Sequence, residues 1–413
     1  MKILLVYPKA YYMKPWIPIG IMSIASYLKR GGFNDVSFFD MNSGNIELLK
    51  DRLTGVDVVG IGGTTIQYSS MVTTASFIRE YNRNILIVFG GPHFLEPDQA
   101  VASLEYCDAC VVGEGERTFF EICQKKDMKD IPGLVYKNNG VVRASKDREL
   151  ISDLDDIPIP AYDLVDVDSF SDEMVEGAKC LSIMTGRGCP NDCFFCASPN
   201  IWKRKVRNNT IDYVIEHIKF LIAKYQIQNL RIMDDTFSLK EERVLEFCDR
   251  IEEEGIKLSM DFLTSARNTN PNVFSRMRSV GFSLVAFGVE SGSKELLSKV
   301  GKNSTIEDVK TAVDNARKAG LKTQCLFMIG NIGETEKSIQ ESIELSRTLQ
   351  GTYSYFQYAV PYPGTRFYRE YREHGEVLTN DFDQYNPRKV VFVPKGLTRE
   401  KMERYMDIAM RRS

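Results

Sequence analysis

Gly186-Arg187-Gly188-Cys189-Pro190-Asn191-Asp192-Cys193-Phe194-Phe195-Cys196 gathers three of the chain's nine cysteines onto one short stretch. At that cysteine frequency a C-x3-C-x2-C spacing arises by chance about 0.004 times in a chain of this length, so the spacing carries meaning. Three thiolates on a tight loop can bind a soft metal centre. A structural zinc ion asks for a fourth Cys or His, and the nearest, Cys180 and His217, make no usual zinc pair with this loop. A four-iron, four-sulfur cluster held by three cysteines leaves one iron open to a substrate or cosubstrate. The first reading is structural and the second catalytic.

Outward from this loop the chain reads as alternating strands and helices. After residue 178, apolar strand patterns fall at 181–184, 230–233, 258–263, 284–287, 323–329 and 353–358, with helical periodicity at 211–225, 241–254 and 305–319. Six β-α units fit a partial (βα)6 barrel, with the cysteine loop just after its first strand, at the carboxyl end where barrel sites lie. Before it, strands at 3–7, 36–39, 58–61, 85–89 and 109–112 alternate with helical stretches near 19–28, 69–81 and 116–123, which predicts a doubly wound parallel, Rossmann-like sheet. Asn138-Asn139-Gly140 suits a hairpin turn, and the acidic, Pro-bearing stretch 151–160 suits a linker. The expected domains are 1–130, a hairpin and linker over 131–176, the barrel over 177–368 and a short helical cap over 369–413.

The 413 residues favour two or more domains, and 43% hydrophobic with 26% charged residues is ordinary globular composition. Lys plus Arg is 53 against Asp plus Glu 56, a net charge of -3 that gives no broad attraction to nucleic acid or anionic lipid and leaves room only for a local basic patch. Met1 to Tyr7 is too short for a signal-peptide core and Pro8 ends it. No apolar run approaches the ~18 to 20 residues that cross a bilayer. A cytoplasmic protein with reduced cysteines and neither membrane nor nucleic-acid partner is expected.

The cysteine spacing, with an aromatic residue before the last Cys, resembles the signature of radical S-adenosylmethionine (SAM) enzymes. That resemblance implies Cys189, Cys193 and Cys196 as ligands of a 4Fe-4S cluster whose open iron chelates SAM, and Phe195 as the aromatic residue beside the adenine. An external electron donor such as flavodoxin or ferredoxin is implied with it. The stretch Phe287-Gly288-Val289-Glu290-Ser291-Gly292 matches the family's fourth-strand acid. Glu290 would then hold the ribose diol, with Ser291 beside it. Asp234 and Asp235, at the end of the second barrel strand, fit the SAM ammonium, although helix capping explains such residues too. Arg267 fits the SAM carboxylate, although an exposed loop arginine is the commoner case. Gly330-Asn331-Ile332-Gly333-Glu334-Thr335 stands where the family reads G-L-P-G-E-T, and Ala359-Val360-Pro361-Tyr362-Pro363-Gly364-Thr365 resembles its P-Y-P-G-T, so Gly330 and Pro361 are SAM-site candidates.

The first domain resembles the cobalamin-binding domain that precedes many radical SAM domains. Its strands end in Gly60-Ile61-Gly62-Gly63-Thr64-Thr65, Gly90-Gly91-Pro92-His93 and Gly113-Glu114-Gly115-Glu116. Glycines there serve tight turns and close ligand approach equally well. The resemblance implies cobalamin contacts at Gly62, Thr64, Thr65, Gly90, Gly91, His93, Gly113, Glu114, Gly115 and Glu116. The D-x-H-x-x-G motif that supplies a cobalt ligand is missing, so His93 is not read as an axial ligand. Together the two halves imply a cobalamin-dependent radical SAM enzyme, most commonly a methyltransferase acting on an unactivated carbon or phosphorus of a small molecule or natural product. A cyclase or ring-rearranging enzyme with the same cofactors, and a non-catalytic iron-sulfur or corrin sensor, are the alternatives. No single catalytic residue is singled out.

Overall fold

The structure, a computed structural model, describes residues 1–11, 16–170, 179–267, 269–349 and 352–411. It divides into two compact units, Met1–Phe170 with Tyr362–Thr365 and Asp381–Asn386, and Ser171–Pro361 with Arg366–Asn380 and Pro387–Ser413. The expected boundary at 176/177 lies outside the described residues.

The first unit runs β1 (Ile3–Tyr7), α1 (Ile19–Arg30), β2 (Val36–Asp40), α2 (Ile46–Lys50), β3 (Val58–Gly62), α3 (Tyr68–Tyr81), β4 (Leu86–Gly90), α4 (Pro97–Ser103), β5 (Ala109–Val111), α5 (Gly115–Cys123), β6 (Leu134–Asn138), β7 (Val141–Ala144) and α6 (Val167–Phe170). Its sheet has the order β2-β1-β3-β4-β5-β6-β7. The first five strands are parallel and doubly wound; β6 and β7 add antiparallel at one edge. That hairpin, expected in the linker, is thus part of the sheet. Asn139 (φ 50°) and Gly140 (φ 78°) form its two-residue loop, both left-handed as a type I′ turn demands.

Strand parity explains the unbroken apolar runs. Leu4, Val6, Val59, Ile61, Ile87 and Phe89 face α2, α3 and α4 through Leu49, Met71 and Ala100, while Ile3, Leu5, Val58 and Val88 face α1 and α5 through Ala25, Leu28 and Phe119. Both faces are covered, so no polar alternation remains. At about 1.5–3 kcal/mol for each fully buried aliphatic or Phe side chain, these two layers supply the main stabilising term.

The second unit continues with β8 (Cys180–Ile183), β9 (Gly186–Arg187), α7 (Ser198–Trp202), β10 (Arg207–Asn208), α8 (Ile211–Tyr225), β11 (Asn229–Ile232), α9 (Glu241–Glu253), β12 (Ser259–Thr264), α10 (Pro271–Ser279), β13 (Phe282–Glu290), α11 (Lys294–Lys299), α12 (Ile306–Lys318), β14 (Lys322–Ile329), α13 (Glu336–Thr348), β15 (Thr352–Tyr358), α14 (Arg366–His374), β16 (Gly375–Val377), β17 (Phe392–Pro394) and α15 (Arg399–Met410). Six parallel strands lie in sequential order, β8-β11-β12-β13-β14-β15, each pair joined through helix, as in a partial (βα)6 barrel. Helix starts follow capping chemistry. Thr305 accepts from Asp308 N while Asp308 takes Thr305 N, so α12 begins one residue after the threonine. Past residue 368, where a helical cap is expected, the chain also forms the antiparallel pair β16–β17 and lends Asp381–Asn386 to the first unit. Three-residue strands are too short to show a period.

Candidate functional site

The barrel's first strand ends at Ile183, and the chain then turns through Thr185 and Gly186 into β9, which pairs antiparallel with β10. Between β9 and α7 lies the three-cysteine loop. Neighbouring elements hold it by its backbone and polar tips: Phe194 N donates to Val300 O (2.9 Å), Phe367 N donates to Phe194 O (3.1 Å), Arg204 Nε donates to Pro190 O (3.2 Å), and Asn303 Nδ2 donates to Asn191 Oδ1 (3.1 Å). Phe194 anchors the loop in a core with Leu296, Val300, Phe367 and Phe392, and Phe195 packs against the same core half-buried. Gly188 has φ 106°, and a Cβ there would stand 2.1 Å from Lys205 O, so only glycine fits.

Cys189 and Cys196 are the two cysteines of nine that are not fully buried, and Cys193 lies between them. Burial pushes the Cys193 thiol up to about 11 and the Cys196 thiol up to about 12, and raises Cys189 as well. Bare thiols here are protonated at neutral pH, so a metal centre must displace their protons on binding. Among the described residues no three His, Cys, Asp or Glu side chains close on one point in the manner of a single ion's shell. A four-iron cube asks for something different, one thiolate at each of three corners, and a loop fixed at both ends fits that donor set.

Asp234 and Asp235 follow β11. Asp234 is buried, and its carboxylate accepts from Thr185 N (2.6 Å), Thr185 Oγ1 (2.5 Å) and Gly186 N (3.1 Å). Burial raises its pKa to about 6 against the pull of those donors and of Arg243. Arg243, on α9, grips the same turn from the other side, donating to Thr185 O (3.0 Å) and Asn209 O (2.8 Å). Asp235 accepts from Gly188 N at 3.0 Å. Both acids therefore hold the turn leading into the cysteines, and neither caps a helix, the roles of N-cap falling to Thr236 and Lys240.

Glu290 ends β13 at a register shift and has φ 69°, a left-handed conformation uncommon for a non-glycine residue. Its Oε1 lies 2.9 Å from Lys302 Nζ, with both side chains about nine-tenths buried (9% and 10% exposed). Burial pulls the Lys302 ammonium down, but its partner Glu290, the largest of the influences that hold it up, keeps the lysine charged. A Cβ on Gly288 would meet Glu290 Oε1 at 2.7 Å and Lys302 Nζ at 3.0 Å. The geometry thus brings Glu290, Lys302 and the cysteine loop together. Ser291 turns elsewhere, its Oγ 3.0 Å from Ser342 Oγ on α13. Arg267 is exposed. Gly330 N donates to buried Glu334 (2.6 Å), whose pKa burial raises to about 7, so the loop after β14 is held by its own acid. Pro361 is buried, the last residue of its segment of the second unit. Lys302 and Arg243 escaped the sequence reading; Lys302 lies in a loop with no period, and Arg243 reads as one more charge on an amphipathic helix.

In the first unit the three glycine turns sit at the carboxyl ends of β3, β4 and β5. Gly62 pairs with Gly90, and Gly63 N donates to Gly90 O (3.1 Å). Gly91 (φ 124°) is demanded by packing, since a Cβ would stand 2.0 Å from Gly63 O, and Gly115 packs on Ile24. At Gly90 a Cβ would meet only Val111 at 3.8 Å, and at Gly113 nothing within 4 Å. Those two backbones are open to a ligand. Thr64 joins Gln67 in a capping box, and Thr65 Oγ1 lies 3.3 Å from His93 Nδ1. His93 is fully buried, stacked on Tyr68 (4.4 Å) and met edge-on by Phe382 (4.8 Å); burial lowers its pKa to about 4. Glu114 is turned inward, accepting from Ile151 N at 2.8 Å, and Glu116 is buried.

A model of the radical SAM superfamily matches residues 183–346, and a model of the B12 binding domain matches residues 10–122. Over 98% of its length the chain is 32% identical to an uncharacterized methyltransferase, PH0819, of Pyrococcus horikoshii, spanning 91% of that protein. The chain belongs to the radical SAM superfamily, among the members that carry a B12 binding domain. This radical SAM enzyme is also 24% identical, over 98% of its own length and 76% of the other's, to the anaerobic magnesium-protoporphyrin IX monomethyl ester cyclase of Rubrivivax gelatinosus. Its fold matches that of TsrM from Kitasatospora setae, a radical SAM methyltransferase solved with cobalamin and a 4Fe-4S cluster bound, at a TM-score of 0.73 with 20% identity, covering 90% of this chain and 75% of that one. Membership of the family carries its cofactors, a 4Fe-4S cluster and SAM with the barrel and cobalamin with the first domain, and makes the chain an enzyme and not a sensor.

Proposed function

We propose that this enzyme methylates an unactivated carbon or phosphorus centre of a small molecule, with Cys189, Cys193 and Cys196 as the protein ligands of the cluster. The observation that supports this most is the pairing of the three-cysteine loop, pinned at the carboxyl end of a (βα)6 barrel, with a B12 binding domain on the same chain. When bound, the cluster and SAM supply a hydrogen-abstracting radical and cobalamin serves as methyl carrier. The chain's own residues do the holding. Glu290, fixed by Lys302, offers its second carboxylate oxygen to the SAM ribose; Arg267, exposed on its loop, reaches the SAM carboxylate; Phe195, Gly330 and Pro361 border the adenine. Asp234 and Asp235 act at one remove, setting the turn before Cys189. Gly62, Gly90, Gly113 and the Thr64-Thr65 turn form the backbone platform for the corrin, while Gly91, Gly115, His93, Glu114 and Glu116 shape that platform from within.

The working protein is read as cytoplasmic, reduced by an external one-electron donor, with no nucleic-acid or membrane partner; no helix among the described residues is long and apolar enough to cross a membrane. Ring closure without net methylation is the second reading, favoured by the similarity to the Rubrivivax cyclase. Incubating the reconstituted enzyme with SAM bearing a labelled methyl group and candidate metabolites separates them. Methylation adds one labelled methyl to the product, cyclisation releases 5′-deoxyadenosine with no label gained, and absence of SAM cleavage under strong reduction would reject both.

A further inference from the structure

The stretch that follows the cysteine loop has a charge unlike the rest of the chain. Residues 186–210 carry Arg187, Lys203, Arg204, Lys205 and Arg207 against a single acid, Asp192, in a protein of net charge -3. That acid is itself faced by Arg366 at 3.8 Å. Arg187 and Arg207 lie over Trp202, at 5.6 and 5.5 Å from its ring, which fixes the base of the patch. Lys203, Arg204 and Lys205 are exposed above it.

Two further observations tie this patch to the redox site. Lys203 (φ 50°) and Arg204 (φ 57°) are consecutive non-glycine residues in the left-handed region, an arrangement that costs about 1–2 kcal/mol per residue and so is kept only where the surroundings impose it. The surroundings are the cysteine loop. Arg204 Nε donates to Pro190 O, and the Lys205 carbonyl packs against Gly188, the residues on either side of Cys189. The strained turn therefore sets three cationic side chains on the outer surface of the loop, one hydrogen bond away from the residue next to Cys189.

We infer that Lys203, Arg204 and Lys205 form the docking surface for a small acidic one-electron carrier protein that reduces the cluster. The inference rests on the cluster reading above. In the step it serves, the carrier is oxidised by one electron and the cluster reduced by one, and no bond is made or broken. Basic side chains around the point of electron entry steer an acidic carrier to it and hold it in register. A polyanion such as RNA would be drawn to the same charges, but it has no reason to be placed beside a cluster ligand.

The test uses the anaerobically reconstituted full chain and its Lys203→Glu/Lys205→Glu variant, leaving Arg204 and its bond to Pro190 in place. Fluorescence anisotropy with a labelled flavodoxin and a labelled ferredoxin reads binding. SAM cleavage driven by each reduced carrier, and separately by dithionite, reads electron delivery. The double reversal is expected to weaken binding of a carrier, and to slow cleavage at sub-saturating carrier, by about tenfold or more, with iron content and dithionite-driven cleavage unchanged. Wild-type binding is expected to weaken as salt rises from low to physiological and beyond, whatever the variant does. Charge-independent binding of both carriers, a parallel fall in dithionite-driven cleavage, or preferential capture of single-stranded RNA over both carriers would each overturn the inference. Wild-type protein that cleaves no SAM with dithionite would fail at the cluster reading itself and take the docking surface with it.

Discussion

Replacing Asp234 by alanine is expected to loosen the turn that leads into Cys189, and through it the whole cysteine loop. The carboxylate receives two backbone N–H groups and one hydroxyl, all buried: Thr185 N, Thr185 Oγ1 and Gly186 N at 2.6, 2.5 and 3.1 Å. Hydrogen bonds to a charged or partly charged group contribute about 1.5–3 kcal/mol, and alanine leaves the donors without a partner, so a loss of about 3–5 kcal/mol is expected after partial relaxation. Asparagine separates charge from hydrogen bonding. Its Oδ1 can still receive both backbone donors, and its Nδ2 can donate to the Thr185 hydroxyl once that rotates. Since burial holds the Asp234 carboxyl at about 6, above its ordinary 3.8, its ionisation opposes folding as pH rises from 3.8 through 6. An uncharged amide avoids that cost, so at neutral pH the Asp234→Asn protein should lie within about 1 kcal/mol of wild type. Denaturant unfolding of the cluster-free protein under anaerobic conditions, with iron assayed after reconstitution, reads both effects. Wild type and Asn should exceed Ala in stability and in iron bound. An alanine variant that unfolds like wild type and fills with iron, yet fails to bind SAM, would show that Asp234 is a SAM ligand and that the clamp is incidental.

Cys189→Ser, Cys193→Ser and Cys196→Ser should each abolish iron retention, whereas Ala at Cys107, Cys123, Cys180, Cys248 or Cys325, all buried in the cores, should leave iron per chain unchanged by assay. Lys302→Met strands a buried carboxylate and should cost about 3–5 kcal/mol by denaturant unfolding, while Glu290→Gln combined with Lys302→Met should regain most of that stability but still bind SAM about tenfold to a hundredfold more weakly by equilibrium titration. His217 is buried and held neutral, its pKa lowered to about 3, so it contributes stability that is present above pH 6.5 and lost on acidification toward pH 3; in His217→Gln the loss between pH 6.5 and about 4 should shrink by on the order of 3 kcal/mol in urea titrations. His93→Ala should lower stability yet leave the visible spectrum of bound cobalamin unaltered, because the ring is enclosed by Tyr68, Phe94 and Phe382.

The fold was legible wherever burial is two-sided and elements are long. β1 is matched residue for residue because every position from Ile3 to Val6 is buried on one face or the other, leaving Tyr7 to mark the edge. Helix α8 is matched because Thr210 caps it and its apolar stripe runs unbroken to Tyr225. Among the short elements, β5 was legible from its wholly buried apolar run, but several others were not. Helix α11 has six residues, β16 and β17 three each, and a period cannot be measured on fewer than two turns or pleats. The hairpin over Asn139 and Gly140 was visible as a turn, but not as an extension of the sheet, because pairing to β5 is a long-range choice that the local pattern does not record.

The site divides along a similar line, between residues whose type states their use and residues whose use is set by neighbours. Thiols at fixed spacing announce a metal centre because few other environments need three of them. An aspartate at a strand end announces nothing so specific: Asp234 and Asp235 read as SAM ligands or helix caps, and nothing local shows that Thr185, Gly186 and Gly188 turn their N–H groups toward them. Glycine behaves the same way. Gly91 suits a tight turn or a ligand cradle in the sequence, yet it is fixed by Gly63 O, 2.0 Å from where its Cβ would stand, just as Gly188 is fixed by Lys205 O at 2.1 Å. Gly90 has no such neighbour, and Gly113, called for by its φ of 91°, has no atom within 4 Å of where a Cβ would stand, so at these two strand ends the backbone lies open. Gly90 and Gly113 are therefore the strand ends that leave room at the backbone, while Gly188, which packing explains severely, is the residue that welds the basic turn to the cysteine loop.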